Sequence, residues 1–220
     1  GAGTMNAAGT VNANGNLGIA ATGNVIVNGT LNLDTPAAAL SFANPLTVLA
    51  GVLNATDDLS VATLNWSGGN ITGSGLLTTT GTSTLSGGAT KDLTDKTWNN
   101  SGTVDITAGS FRVFNSAGAA VFNNQAGGVV NVTSNSGTPI SAAGNGTFNN
   151  AGTLNWGDGT GAARSLNPIF NNSGTVNVND GLNINVGGSD SGVYDVDAGK
   201  TLNFAGGTRN LNAGSNIIGA

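Results

Sequence analysis

Phe170-Asn171-Asn172-Ser173-Gly174-Thr175-Val176-Asn177-Val178 is the stretch on which the fold turns. Its aromatic is an inward side chain. Asn-Asn-Ser-Gly turns the chain, because Asn and Gly accept positive φ at low cost. A short strand of period two follows, with Val176 and Val178 on one face and Thr175 and Asn177 on the other. The same unit occurs three more times: at Trp98-Asn99-Asn100-Ser101-Gly102-Thr103-Val104-Asp105-Ile106, at Phe122-Asn123-Asn124 with two extra residues before Val130-Asn131-Val132, and at Phe148-Asn149-Asn150-Ala151-Gly152-Thr153-Leu154-Asn155-Trp156. The leading aromatics are 24, 26 and 22 residues apart.

A repeat of this length fits one coil of a parallel β-helix with two or three short strands and Gly/Asn corners. The expected fold is therefore all-β, a right-handed parallel β-solenoid of about 9–10 coils of roughly 22–26 residues. Stacking places like on like. Trp98, Phe122, Phe148 and Phe170 are expected to form an inner aromatic column, and Asn100, Asn124, Asn150 and Asn172 a ladder of side-chain amides. A β-sandwich also has short strands and frequent turns, but gives no reason for the same aromatic and the same Asn pair to return at one spacing.

Shorter copies extend the pattern. Gly-Thr-apolar-Asn recurs at 3–6, 9–12 and 29–32, and looser forms occur at 62–65 and 200–203. Val25-Ile26-Val27 ends at an Asn28-Gly29 turn; Leu182, Ile184 and Val186 alternate with Asn183 and Asn185. Two regions break the pattern: 34–61, with Pro36, Pro45 and an apolar run over 37–42, and 162–168, with Arg164. Both are expected to protrude as loops, where a binding function would sit.

Composition agrees with a solenoid. Among 220 residues there are 37 Gly and 33 Asn, only 8% are charged, all 11 acidic residues are Asp, and His and Cys are absent. Such a chain lacks the material for solvent-exposed helix faces. The net charge of −5 and the isolated Arg112, Arg164 and Arg209 exclude a basic stripe for nucleic acid. No apolar run reaches the ~18 residues of a membrane span, so no membrane insertion is expected. Without Cys there are no disulfides and no Cys-type zinc sites. Sequons such as Asn28-Gly29-Thr30 and Asn131-Val132-Thr133 are expected by chance in this composition.

Catalysis is not expected. Glycoside hydrolysis needs two carboxylates held ~5–10 Å apart. Asp195 and Asp197 share one face of an expected strand, and Asp57-Asp58 and Asp92/Asp95 flank irregular stretches, but no His, Glu or aromatic cluster accompanies them. Neither a catalytic residue nor a cofactor is assigned. Calcium has weak oxygen-ligand candidates in Asp190, Asp195 and Asp197, beside Gly187-Gly188-Ser189-Asp190-Ser191-Gly192; the repeated calcium-loop pattern is missing. Thr78-Thr79-Thr80-Gly81-Thr82-Ser83-Thr84 suggests an ice-ordering face, but the coils alternate Thr with Asn or Asp instead of Thr with Thr. Trp66, Trp98 and Trp156 fall at inward positions and are expected in the core.

The stretch Gly192-Val193-Tyr194-Asp195-Val196-Asp197-Ala198-Gly199-Lys200-Thr201-Leu202-Asn203-Phe204-Ala205-Gly206-Gly207-Thr208, with the Phe-Asn-Asn-Ser-Gly-Thr-Val-Asn units, resembles β-helical repeats of bacterial autotransporter passengers and filamentous-haemagglutinin-like surface adhesins. The resemblance covers most of the chain and is weakest at 34–61 and 76–97. It implies secretion, an extracellular or cell-surface location, and a role as a stalk or adhesin; its motifs are corner and core residues that specify fold rather than ligand.

The ends of the chain read as halves of one motif. Leu202-Asn203-Phe204-Ala205-Gly206-Gly207 leads to Asn216-Ile217-Ile218-Gly219-Ala220, as Leu64-Asn65-Trp66-Ser67-Gly68-Gly69 leads to Asn70-Ile71-Thr72-Gly73-Ser74-Gly75-Leu76. Joining tail to head, at Gly1-Ala2-Gly3-Thr4-Met5, regenerates the internal continuation. The chain opens at Gly1, as a processed protein or an excised segment would. The expectation is one solenoid segment over 1–220, a period of a tandem array or a subunit that stacks head to tail, with itself as its first partner and glycans or a cell surface as a second.

Overall fold

In the computed structural model, which describes residues 3–14, 23–35, 40–158 and 161–219, every regular element is a β-strand and every pairing is parallel. The strands belong to three sheets visited in rotation. Sheet I has eleven strands, from Thr4–Ala7 to Asn216–Gly219; sheet II has ten, from Thr10–Ala13 to Leu202–Phe204; sheet III has nine, from Leu40–Phe42 to Arg209–Leu211. Within each sheet a strand pairs with the strands one coil before and one coil after, and the first and last strands pair on one side only. The result is a β-solenoid of about ten turns.

Alternation does the folding. In Thr175–Val178, Val176 and Val178 are buried and Thr175 and Asn177 are not, and the same buried-every-second pattern recurs in Thr103–Ile106 and Thr153–Trp156. The inward side chains of the three sheets meet in one apolar core that runs from Ala7 to Tyr194. At ~25 cal/mol per Å² of apolar surface, this shared core is what a single coil could not provide alone.

Register sets what lies above what. Sheet I keeps one alignment from end to end: Met5 pairs with Val25, Val25 with Leu46, and the same column passes through Val176 and Tyr194 to Ile217. Sheet III does likewise, from Leu40 through Leu59 and Leu77 to Trp98, Phe122, Phe148 and Phe170.

Two expectations need correction. Coils are not confined to 22–26 residues: Leu59 pairs with Leu77, 18 positions on, and Phe111 with Ile140, 29 positions on. Short coils are possible because tight corners need only one or two residues beyond the strands. The second correction follows from the first. Within 34–61, residues 40–61 do not protrude; Leu40–Phe42, Leu46–Val48, Val52–Ala55 and Leu59–Val61 are ordinary rungs of the three sheets. Pro45 sits at the edge of a strand, where its missing N–H is no loss and its carbonyl accepts from Val25 N–H. The expected loop residues 36–39 lie outside the described residues. Within 162–168, Arg164–Leu166 is a strand of sheet II.

Glycines allow the corners to stack. A Cβ on Gly174 would lie 2.0 Å from the carbonyl oxygen of Gly152, and one on Gly152 would lie 2.1 Å from that of Gly128. Any side chain there would push adjacent coils apart.

Candidate functional site

The ordered interior of sheet III concentrates the chemistry of this chain. Trp98, Phe122, Phe148 and Phe170 are fully buried in register, with successive ring centroids 4.8, 4.9 and 5.1 Å apart. Phe111 of sheet II meets Trp98 and Phe122 edge-on at 5.5 and 5.3 Å, an arrangement that adds to simple burial. Trp66 and Trp156 are also fully buried, in sheet I.

Two residues further along each of these strands lies the amide ladder. Asn100 Nδ2 donates to Asn124 Oδ1 (2.9 Å), Asn124 Nδ2 to Asn150 Oδ1 (2.8 Å), and Asn150 Nδ2 to Asn172 Oδ1 (2.9 Å). Each Nδ2 also reaches backbone carbonyls: Asn124 donates to Gly128 O at the corner and Thr153 O at the start of the next coil's strand, and Asn150 to Gly152 O and Thr175 O in the same way. Gly128 O and Gly152 O also accept from Thr153 N–H and Thr175 N–H of the next coil, so the ladder adds a second bond to each of these corner carbonyls. Its first rung is prepared by Thr79, whose Oγ1 accepts from Trp98 Nε1 (2.9 Å) and donates to Asn100 Oδ1 (3.1 Å).

Outer ladders accompany the inner one and point the other way. On sheet III Asn171 donates to Asn149, Asn149 to Asn123 and Asn123 to Asn99, each at 2.8 Å. On sheet I Asn177 donates to Asn155, Asn155 to Asn131 and Asn131 to Asp105, each at 2.7 Å. Inner donors aim at the following coil and outer donors at the preceding one.

The aromatic column and the inner ladder both end at an ion cluster. Asp190, fully buried, occupies the ladder position after Asn172 and accepts from Asn172 N–H (3.2 Å). Arg209 grips it through Nε (2.8 Å) and through a short Nη2 contact to Oδ1. Its guanidinium carbon lies 5.6 Å from the Phe170 centroid and 5.4 Å from that of Phe204, so the cation closes the aromatic stack. Tyr194 OH donates to Asp190 Oδ1 (3.0 Å) and accepts from Arg209 Nη2 (3.1 Å). Burial, more than its charged neighbours, pushes the Tyr194 phenol above its ordinary pKa. Gly188 makes the space, since a Cβ there would stand 1.8 Å from Phe170 O and 2.9 Å from Arg209 Nη1.

Other interior charges are held by the backbone. Lys91 Nζ donates to Gly87 O, Ala89 O and Ala108 O at 2.8, 2.9 and 2.6 Å. Lys96 Nζ donates to Gly75 O and Ala55 O at 2.6 and 3.0 Å. Burial lowers both ammonium groups to about 8 from an ordinary 10.5; for Lys96, Asp58 and Asp57 pull in the opposite direction.

The carboxylates considered for catalysis and calcium are dispersed. Asp190 points inward to Arg209, whereas Asp195 and Asp197 are exposed, so the three do not converge as a calcium site would require. Asp57 accepts from Thr35 N–H and Oγ1, and Asp58 from Leu76 N–H. Asp92 pairs with Arg112 at 2.7 Å, and Asp95 accepts from the N–H groups of Ser116 and Ala117. Among the described residues no three acidic side chains are grouped to hold a metal.

Sequence reading assigned no partner to Asp190 or Arg209. They are 19 positions apart, near one coil's length, and that spacing is the signal through which the pair was accessible. The chain matches no protein-family model, no curated protein and no solved structure.

Proposed function

We propose that this chain is a structural segment of an extracellular bacterial fibre or adhesin stalk, a rigid spacer without catalytic activity. The observation that carries this reading is the use made of the buried polar groups: the Asn100–Asn172 ladder, the Asp190–Arg209 pair and the carbonyl-bound Lys91 and Lys96 all tie one coil to the next. A catalytic site leaves reactive groups facing a cleft. These face the wall. Inter-coil bonding by backbone and side chain together supports a rod that resists proteolysis and bending.

The first partner in this reading is another coil of the same kind, from a neighbouring repeat or a second copy. Leu211, Ile217 and Ile218 are exposed at 50, 49 and 43% on the strands Arg209–Leu211 and Asn216–Gly219. Ile217 continues the inward column of Tyr194, so a strand laid over it in register has an apolar position to cover. Met5, in that same column at the other end of sheet I, supplies the matching side chain. Open strand edges of this kind are templates for further pairing.

The test is assembly of the purified chain, followed by sedimentation and negative-stain microscopy across a concentration series. Head-to-tail rods whose growth is stopped by Ile217→Lys are expected. A species that stays monomeric at every concentration and is quickly cut by protease within the sheets would overturn the spacer reading.

A further inference from the structure

One corner link is fastened to the rod by a single carboxylate. Two other long links, from Val132 to Ile140 and from Val196 to Leu202, are bonded through their backbones into the coils beside them. Thr133 and Ser134 N–H donate to Ile106 O, and Gly137 O accepts from Ser165 N–H; Asp197 N–H donates to Val178 O, and Thr201 O accepts from Leu182 N–H. The six residues from Asn115 to Ala120, which join Phe111–Phe114 to Val121–Asn124, differ. Ser116, Ala117, Gly118 and Ala119 are all exposed, and none of their carbonyls accepts a hydrogen bond from the described residues.

Asp95 of the preceding coil holds this link. Its Oδ1 takes Ser116 N–H at 2.7 Å and its Oδ2 takes Ala117 N–H at 3.0 Å. These bonds, Ser116 first, keep the carboxyl below its usual range. Gly118 lies against the same side chain, since a Cβ there would stand 3.1 Å from Asp95 Cβ. Asp95 has φ 50°, the one positive value at a non-glycine among the described residues, in a region that Asp enters more readily than most. At the base of the link Ala120 is 1% exposed, and its N–H donates to Asn115 Oδ1 at 2.7 Å.

An endoprotease must draw its scissile segment out as an extended strand, so it works best on exposed links of small residues that open locally. Ala117 offers a methyl group, which suits a small S1 pocket and leaves a deep or charged one unfilled. Ala119 is the poorer choice, because the tethered, buried Ala120 follows it.

We infer that the link 115–120 is a processing site for an endoprotease with a small S1 pocket, cut between Ala117 and Gly118, with Asp95 as the latch that sets how often the link opens. Water adds across the C–N bond, leaving a carboxylate on Ala117 and an amine on Gly118. The two pieces stay joined, because Thr97–Asn100 still pairs with Val121–Asn124, Thr103–Ile106 with Val129–Val132 and Phe111–Phe114 with Ile140–Ala143. The product is a nicked rod with its sheets intact. The site does not depend on the spacer reading, since a rod that never assembles carries the same link.

The experiment is limited digestion of the purified chain with an elastase, followed by intact mass after denaturation and by native size exclusion. The first products are expected to be residues 1–117 and 118–220, with native elution unchanged. Asp95→Gly keeps the positive φ and removes the carboxylate. It should speed this cut about tenfold with thermal unfolding little changed, because cleavage follows the population of the open link. The exposed variant Ala117→Asp should abolish it. The inference is overturned if the first cut falls elsewhere, if Asp95→Gly is cut no faster than the parent, or if Ala117→Asp is cut as the parent is.

Discussion

The stretch from Trp98 to Val178 and the coils that follow it solve the same packing problem by different means. In the first, identical side chains superpose: Phe122 on Phe148 on Phe170, and Asn124 on Asn150 on Asn172. In the second, the same two columns are continued by Gly188 and Asp190, then by Arg209 and Leu211. A repeating column needs no partner chosen in advance, because each rung satisfies its neighbour. A non-repeating column must be completed by one particular residue a coil away. The first arrangement loses a rung at a time, while the second fails as a unit.

This contrast is open to measurement. Asp190→Ala leaves Arg209 buried without its carboxylate, and a loss of about 3–5 kcal/mol is expected by denaturant unfolding. Adding Arg209→Met should recover much of that loss; no recovery would mean that the two residues do not act as a pair.

Lys96 provides the next largest effect, and it appears with pH. Its ammonium is lowered to about 8 when folded and stands at 10.5 otherwise, so between those values the unfolded chain binds the extra proton. Stability should therefore rise with pH across that window, by about 3 kcal/mol from this residue, and Lys96→Met should remove that part of the rise. Tyr194 acts in the opposite sense. Its phenol is held protonated in the fold, so above about pH 10, where unfolded tyrosine ionises, stability should fall again. A stability profile that only declines from pH 8 upward would contradict the lysine argument.

The ladder rungs are expected to be smaller. Asn150→Ala removes an interior rung with bonds to both neighbours and to two backbone carbonyls, for a loss of about 2 kcal/mol. Asn149→Ala, one position away on the outer face, should lose only about 0.5 kcal/mol, because water replaces the partner. Equal losses at the two positions would show that burial is not what gives the inner ladder its weight.

The difference between the two regions also explains what the sequence made legible. Trp98, Phe122, Phe148, Phe170 and the Asn100–Asn172 ladder were visible because stacking copies letters from coil to coil. The rungs at Leu59 and Leu77 were not, since Leu, Val and Thr at inward positions resemble any buried strand and their 18-residue coil falls below the spacing set by the aromatics. The prolines at 36 and 45 then pulled the reading of 34–61 towards a loop. Asn131, Asn155 and Asn177 carried the same signature as the inner ladder, yet were read as an outer polar face rather than as bonded rungs. Asp190 and Arg209 left the least trace, because a salt bridge that occurs once has no copy to be compared with.

The opposed direction of the inner and outer amide ladders has an electrostatic consequence for length. Each side-chain amide carries a dipole, and a column in which every member points the same way builds a field that grows with the number of members, as the aligned peptides of an α-helix do. Here the three bonds of the inner column point to the following coil while the six of the two outer ladders on sheets III and I point back, so the inner column offsets only part of the outer pair. Each coil of this pattern thus adds a net amide dipole in one direction along the stack, and the buried rung of the same coil reduces it.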